Sequence, residues 1–188
     1  MPVSGSAIRE RPLAHWDYLP ECVRPHFVRR VCLFGPEATG KSTLARDLAQ
    51  HYQSVVVPEY ARTLLEFQSG ACSEADLEPI ARGQLASEAA LARRTMRVLF
   101  CDTDALTTCI WSQILFGHCS PTLEALSHRS RYELTLLLDV DVPWVPDESA
   151  LLARPAPVVR RNLRVHAAST KPQLPRTPRL LGSAHAGR

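Results

Sequence analysis

Gly35-Pro36-Glu37-Ala38-Thr39-Gly40-Lys41-Ser42-Thr43 spells G-x-x-x-x-G-K-[ST], a spacing whose chemistry is a grip on polyphosphate. Its glycines let backbone N–H groups converge on phosphate oxygens, and a helix starting at the loop's end adds its positive dipole. Lys41 then reaches the β- and γ-phosphates, and the Ser42 hydroxyl helps to hold Mg²⁺. The pattern carries this meaning between a strand and a helix. Arg30-Val31-Cys32-Leu33-Phe34 before it is a short apolar run bounded by charge. Leu44 to Tyr52 after it repeats apolar residues at helical spacing. The residues therefore predict a phosphate-binding loop that takes ATP with Mg²⁺.

Carboxylates follow two other apolar runs. Asp102 closes Arg97-Val98-Leu99-Phe100-Cys101, where an acidic side chain holds Mg²⁺ directly or through water, or caps the helix that follows. Asp104, two residues on, shares that site or contacts substrate. Glu59 follows Ser54-Val55-Val56-Val57 within Pro58-Glu59-Tyr60-Ala61-Arg62. It suits accepting a proton from a substrate hydroxyl or holding a ribose hydroxyl. Arg62 either neutralises phosphate charge or pairs with Glu59.

The elements needed to position these groups alternate along the chain. Glu74 to Arg94 is alanine-rich with a helical period, and Ser73 is its expected N-cap. Thr107 to Phe116 reads as a helix stopped by Gly117, and Tyr132 to Leu138 as a fourth strand ending at Asp139. This order predicts an α/β, P-loop NTPase fold: a parallel sheet flanked by helices, with ligands at the carboxyl ends of its strands. Six cysteines, at 22, 32, 72, 101, 109 and 119, include no C-x-x-C pair, so reduced, mostly buried thiols in a cytoplasmic protein are expected. No stretch approaches the ~20 apolar residues of a membrane span. Eight of the 22 Lys and Arg residues, and none of the 19 Asp and Glu, lie from Leu151 onward beside five prolines. That tail reads as a basic, solvated extension, without the aromatic residues on which nucleic-acid bases stack.

Four strings then resemble a known family. They are Phe34 to Thr43, Val57 to Arg62, Cys101-Asp102-Thr103-Asp104-Ala105-Leu106-Thr107-Thr108, and Asp139-Val140-Asp141-Val142-Pro143-Trp144-Val145. In this order they resemble the nicotinamide riboside kinase domain of NadR-type bifunctional proteins. The resemblance implies ATP-dependent phosphorylation of the ribose 5′-hydroxyl, giving nicotinamide mononucleotide. It makes Glu59 the base or ribose anchor and places Tyr60, Arg62 and Gln84 around the acceptor. Trp111 and Trp144 offer a flat face for nicotinamide or belong to the core. A non-catalytic nucleotide or NAD sensor and a kinase of another nucleoside are the alternatives.

Val3-Ser4-Gly5-Ser6-Ala7-Ile8-Arg9 resembles the signature that closes the nucleotidylyltransferase domain preceding such kinases, and Pro12 to Pro20 the connector between the two. The expected division is a remnant and connector over 1–28, a kinase domain over 29–147 truncated at its C-terminus, and a tail over 148–188. Arg154, Arg160 and Arg161 are the candidate lid arginines. A frameshift or fusion past Asp147 is the expected origin of the tail.

Overall fold

The computed structural model describes residues 3–68 and 72–139. Four apolar runs become strands: β1 (Arg29–Phe34), β2 (Val55–Val57), β3 (Val98–Asp102) and β4 (Leu134–Leu137). All pairings are parallel, in the order β2-β3-β1-β4. β1 is central, so its last four residues are buried on both faces, which is why it reads as a continuous apolar run. Alternate side chains serve opposite layers. Val31, Leu33 and Phe100 pack on Ala45 and Ala49 of α2 (Lys41–His51). Cys32 and Phe34 face Ile110 of α5 (Ala105–Phe116).

The other layer is completed by α4 (Glu74–Ala92) and by the N-terminal segment. Asp76 Oδ2 accepts from the Ser73 N–H at 2.9 Å and from Ser73 Oγ at 2.6 Å, tying down the start of α4. Trp16, 1% exposed, packs with Leu19 and Val28 against Val57, Ala92, Leu99 and Cys101. The connector-like residues thus share the core of the sheet. Ser4 caps the short helix α1 (Gly5–Glu10), its Oγ accepting from the Ala7 N–H at 3.2 Å.

α1 and α6 (Pro121–Ser127) escape the sequence pattern, and α3 (Tyr60–Phe67) begins at the Glu59–Arg62 pair, whose spacing also suits a helix start. The thiol expectation is also corrected, since Cys109 and Cys119 form a disulfide with their Cα atoms 5.7 Å apart. Gly117 ends α5 in the left-handed region, φ +79°, and turns the chain back so that Cys119 meets the helix it has just left. Cys32 and Cys101 are buried free thiols, as their place in strands dictates. Among the described residues no helix is long and apolar enough to cross a membrane. Trp144, the candidate lid arginines Arg154, Arg160 and Arg161, the basic tail and all but Asp139 of the fourth resemblance string lie outside the described residues.

Candidate functional site at the carboxyl edge of the sheet

Sheet register builds this site. Leu33 of β1 sits opposite Asp102 of β3, so the loop leaving β1 must pass over the end of β3. Gly35 permits that path, because a Cβ there would collide with the carbonyl oxygen of Leu138 just past β4. Gly40 (φ +80°) and Ala38 (φ +57°) are left-handed, the backbone form that turns successive N–H groups toward one concave side. The buried Thr39 Oγ1 donates to the Pro36 carbonyl at 2.8 Å, and Lys41 Nζ donates to the same oxygen at 2.6 Å. Glu37 lies within the loop, and Ser42 and Thr43 follow Lys41 in the first turn of α2.

Ser42 Oγ donates to Asp102 Oδ2 at 2.5 Å. Asp102 is 3% exposed, and its Oδ1 has no hydrogen-bond partner among the described residues. A buried carboxylate oxygen without a donor, beside a hydroxyl, is a fitting pair of ligands for a hard cation that keeps its other ligands from water and phosphate. The capping alternative weighed for Asp102 falls instead to Asp104, whose Oδ1 accepts from the Thr107 N–H at 2.9 Å and Thr107 Oγ1 at 3.0 Å. Between them Thr103 is left-handed (φ +67°), unusual for a β-branched residue, with its N–H donated to the Leu33 carbonyl. This twist gives the two neighbouring carboxylates separate surroundings: Asp102 faces the phosphate loop, and Asp104 faces a cavity.

The space within that cavity, open solvent included, is about 470 Å³. Three helices line it, and each changes character along its length. Glu59, the N-cap of α3, gives way to Ala61 and Leu65. Gln84 of α4 is followed toward the helix start by Ile80 and Leu77. Asp104, Thr107 and Thr108 of α5 give way to Trp111 and Leu115. At 1.5 Å per residue the apolar ends lie roughly 10 Å from the polar ones. The polar ends meet beside the phosphate loop. Burial pushes Glu59 above the ordinary carboxylate range, reinforced by Asp102 and Glu37 and opposed by Lys41 and Arg62. Burial likewise lowers the Lys41 ammonium, against the pull of Glu59, Asp102 and Glu37. Asp104 is raised by burial, opposed by its hydrogen bonds from Thr107.

Glu59, Gln84, Asp104 and Trp111 line the cavity, whereas Tyr60 and Arg62 are not among its lining residues. The Tyr60 ring rests on Gly83, where any Cβ would strike it, and the Tyr60 N–H is donated to Gln84 Oε1 at 2.9 Å. Arg62 Nε lies 3.7 Å from Glu59 Oε2 as an i,i+3 ion pair. Sequence reading missed Leu65, Leu77, Ile80 and Leu115 as wall residues, because helical apolar positions look alike whether they face core or cavity.

The known proteins similar to this chain share its frame. It is 35% identical over 151 residues to the trifunctional NAD biosynthesis/regulator protein NadR of Escherichia coli (strain K12). The match covers 78% of this chain and 37% of that protein. The NadR protein of Salmonella typhimurium (strain LT2) matches with the same identity and coverage. The chain thus spans little more than a third of the length of these curated relatives. A crystal structure of NadR protein in complex with NR superposes with a TM-score of 0.66 at 27% identity, covering 70% of this chain and 39% of that one. A second, of NadR protein in complex with NAD and AMP-PNP, gives the same TM-score and identity and covers 40% of that chain. Residues 30–167, well over half of the sequence, carry the match that decides the family, and by it the chain belongs to the AAA domain family of phosphate-loop proteins.

Proposed function

We infer that the domain transfers the γ-phosphoryl group of ATP to the 5′-hydroxyl of nicotinamide riboside. The observation that carries this reading is the contiguity of a phosphate loop with a cavity polar at the near end and apolar at the far end. A riboside suits that gradient with its sugar beside the loop and its flat base against Trp111. The similarity to NadR, solved with NR and with NAD and AMP-PNP, supports nicotinamide as that base. ATP-dependent chemistry on a small nucleoside fits a cytoplasmic setting.

Phosphoryl transfer asks the protein for position and charge rather than for covalent chemistry. The loop amides and Lys41 hold the transferring group. Glu59, its carboxyl raised by burial, takes the proton of the attacking hydroxyl. Arg62 keeps Glu59 oriented through its ion pair. Ser42 and Asp102 would hold Mg²⁺, which would supply charge neutralisation at the phosphates. Asp104, fixed by Thr107, accepts from a ribose hydroxyl.

The test is incubation of the full chain with γ-labelled ATP, Mg²⁺ and a nucleoside panel. Nicotinamide mononucleotide as the labelled product supports the reading. Label on another nucleoside gives a kinase of different specificity, and ATP binding without transfer to any nucleoside gives a sensor; either result rejects it.

A further inference from the structure

Gln84 is 2% exposed and lies in the cavity wall. Its two ends are in different situations. Oε1 accepts from the Tyr60 N–H at 2.9 Å, which fixes the direction of the amide, since the opposite orientation would set donor against donor. Nε2 is left without a hydrogen-bond partner among the described residues. A buried donor without an acceptor is costly, so a native amide in that state marks a place where an acceptor belongs.

The gradient of the cavity says what that acceptor is. Gln84 sits at the polar end, tied to the first residue of α3 next to Glu59, while Ile80 and Leu77 of the same helix line the apolar end. Under the riboside kinase reading, on which this inference rests, the sugar occupies that end and the base lies about 10 Å away. Glu59 and Asp104 only accept hydrogen bonds when ionised, so a sugar hydroxyl that donates to either keeps its own oxygen free to accept. We propose that Gln84 is a specificity-determining residue whose Nε2 donates to the oxygen of a secondary ribose hydroxyl, so that the site selects ribosides over deoxyribosides.

The experiment crosses protein variants with substrate analogues. Two variants separate the roles of the amide: Gln84→Glu keeps an acceptor for the Tyr60 N–H but removes the donor, and Gln84→Met removes both at similar volume. Each is assayed in the full chain with ATP and nicotinamide riboside, its 2′-deoxy and 3′-deoxy analogues, and an analogue lacking the carboxamide. Wild type is expected to favour the riboside over one deoxy analogue by roughly 10–100-fold in kcat/KM. In both variants that ratio falls to about one, because the riboside loses rate while the deoxy analogue does not lose more. Gln84→Met lowers all substrates further through the freed Tyr60 N–H. Thermal shifts on adding the same ligands establish that each variant is folded and report affinity without turnover.

A ratio that survives both substitutions, or a wild type indifferent to both hydroxyls, overturns the proposal. So does coupling of Gln84 to the carboxamide instead. The parent reading fails separately, through absence of nicotinamide mononucleotide from wild type. If no riboside shifts the melting of wild type, both fail.

Discussion

Lys41 and Glu59 oppose each other across the start of the reaction path, each moved by burial toward neutrality and each pulled back by the other. Their signs fix the pH profile. Glu59 takes up a proton above the usual carboxylate pKa, so turnover falls on the acid side as pH drops through that raised value. Lys41 loses its proton below the usual lysine pKa, so an alkaline limb appears earlier than an ordinary lysine would give. Glu59→Gln should cost about 10²–10⁴-fold in kcat and remove the acid limb, read from kcat against pH. Persistence of that limb would assign the proton transfer elsewhere. Lys41→Ala should lower kcat by roughly 10³-fold while leaving the melting temperature within a few degrees, since its ammonium serves the loop rather than the core. Wild-type formation of nicotinamide mononucleotide by that variant would be incompatible with the assigned site.

At the scale of elements, the cavity depends on α3 seating against α4. Gly83 is where they touch, because the Tyr60 ring occupies the space of a Cβ. Helix propensity alone makes Gly83→Ala stabilising by about 1 kcal/mol. Displacing a ring from a close contact costs about 1–3 kcal/mol, so the clash prevails. The expected result is a lowered melting temperature and a KM for the nucleoside raised roughly tenfold, with the KM for ATP nearly unchanged. Equal effects on both substrates would mean that α3 does not act on the acceptor side.

β1, β3, the phosphate loop and the helix after it were legible because burial on two faces and a 3.6-residue period leave plain marks in sequence; β2 and the exposed β4 were legible from their apolar residues alone. α3 was legible only as an alternative, because the Glu59–Arg62 spacing suits a helix start as well as a site, and Tyr60 to Phe67 is too short for its period to stand out. The neighbours Asp102 and Asp104 were found as a pair, but their division of labour depends on the left-handed backbone of Thr103, which no residue type announces. The disulfide was hidden for a similar reason: the reversal at Gly117 sets the distance between Cys109 and Cys119.

For the whole molecule, the N-terminal segment and the sheet stand or fall together. Trp16→Ala removes a side chain that is 1% exposed and should cost about 3–5 kcal/mol, seen as a large drop in the urea midpoint. A shift under about 1 kcal/mol would show that residues before β1 are an appendage. A second coupling links α4 to the strands. Glu88, fully buried, accepts from Tyr132 at 2.6 Å, and Arg30 approaches its other oxygen at 3.5 Å as an ion pair without a hydrogen bond. Burial pushes this carboxyl up to about 7, with Asp104 adding to the rise and Tyr132 and Arg30 opposing it. Its folded pKa lies above the unfolded one, so its contribution is full below about 4.5 and is lost as pH rises to about 7. The loss amounts to roughly 3 kcal/mol, and Glu88→Gln should flatten that part of the stability curve.

Contiguity of the loop and the cavity is most directly measured with a bisubstrate ligand, nicotinamide riboside joined through its 5′-oxygen to the polyphosphate of ATP. Titrated calorimetrically into the full chain, it should bind at least ~100-fold more tightly than ATP, because one molecule then fills both sites. Affinity no better than that of ATP would place the two sites apart and contradict the assignment.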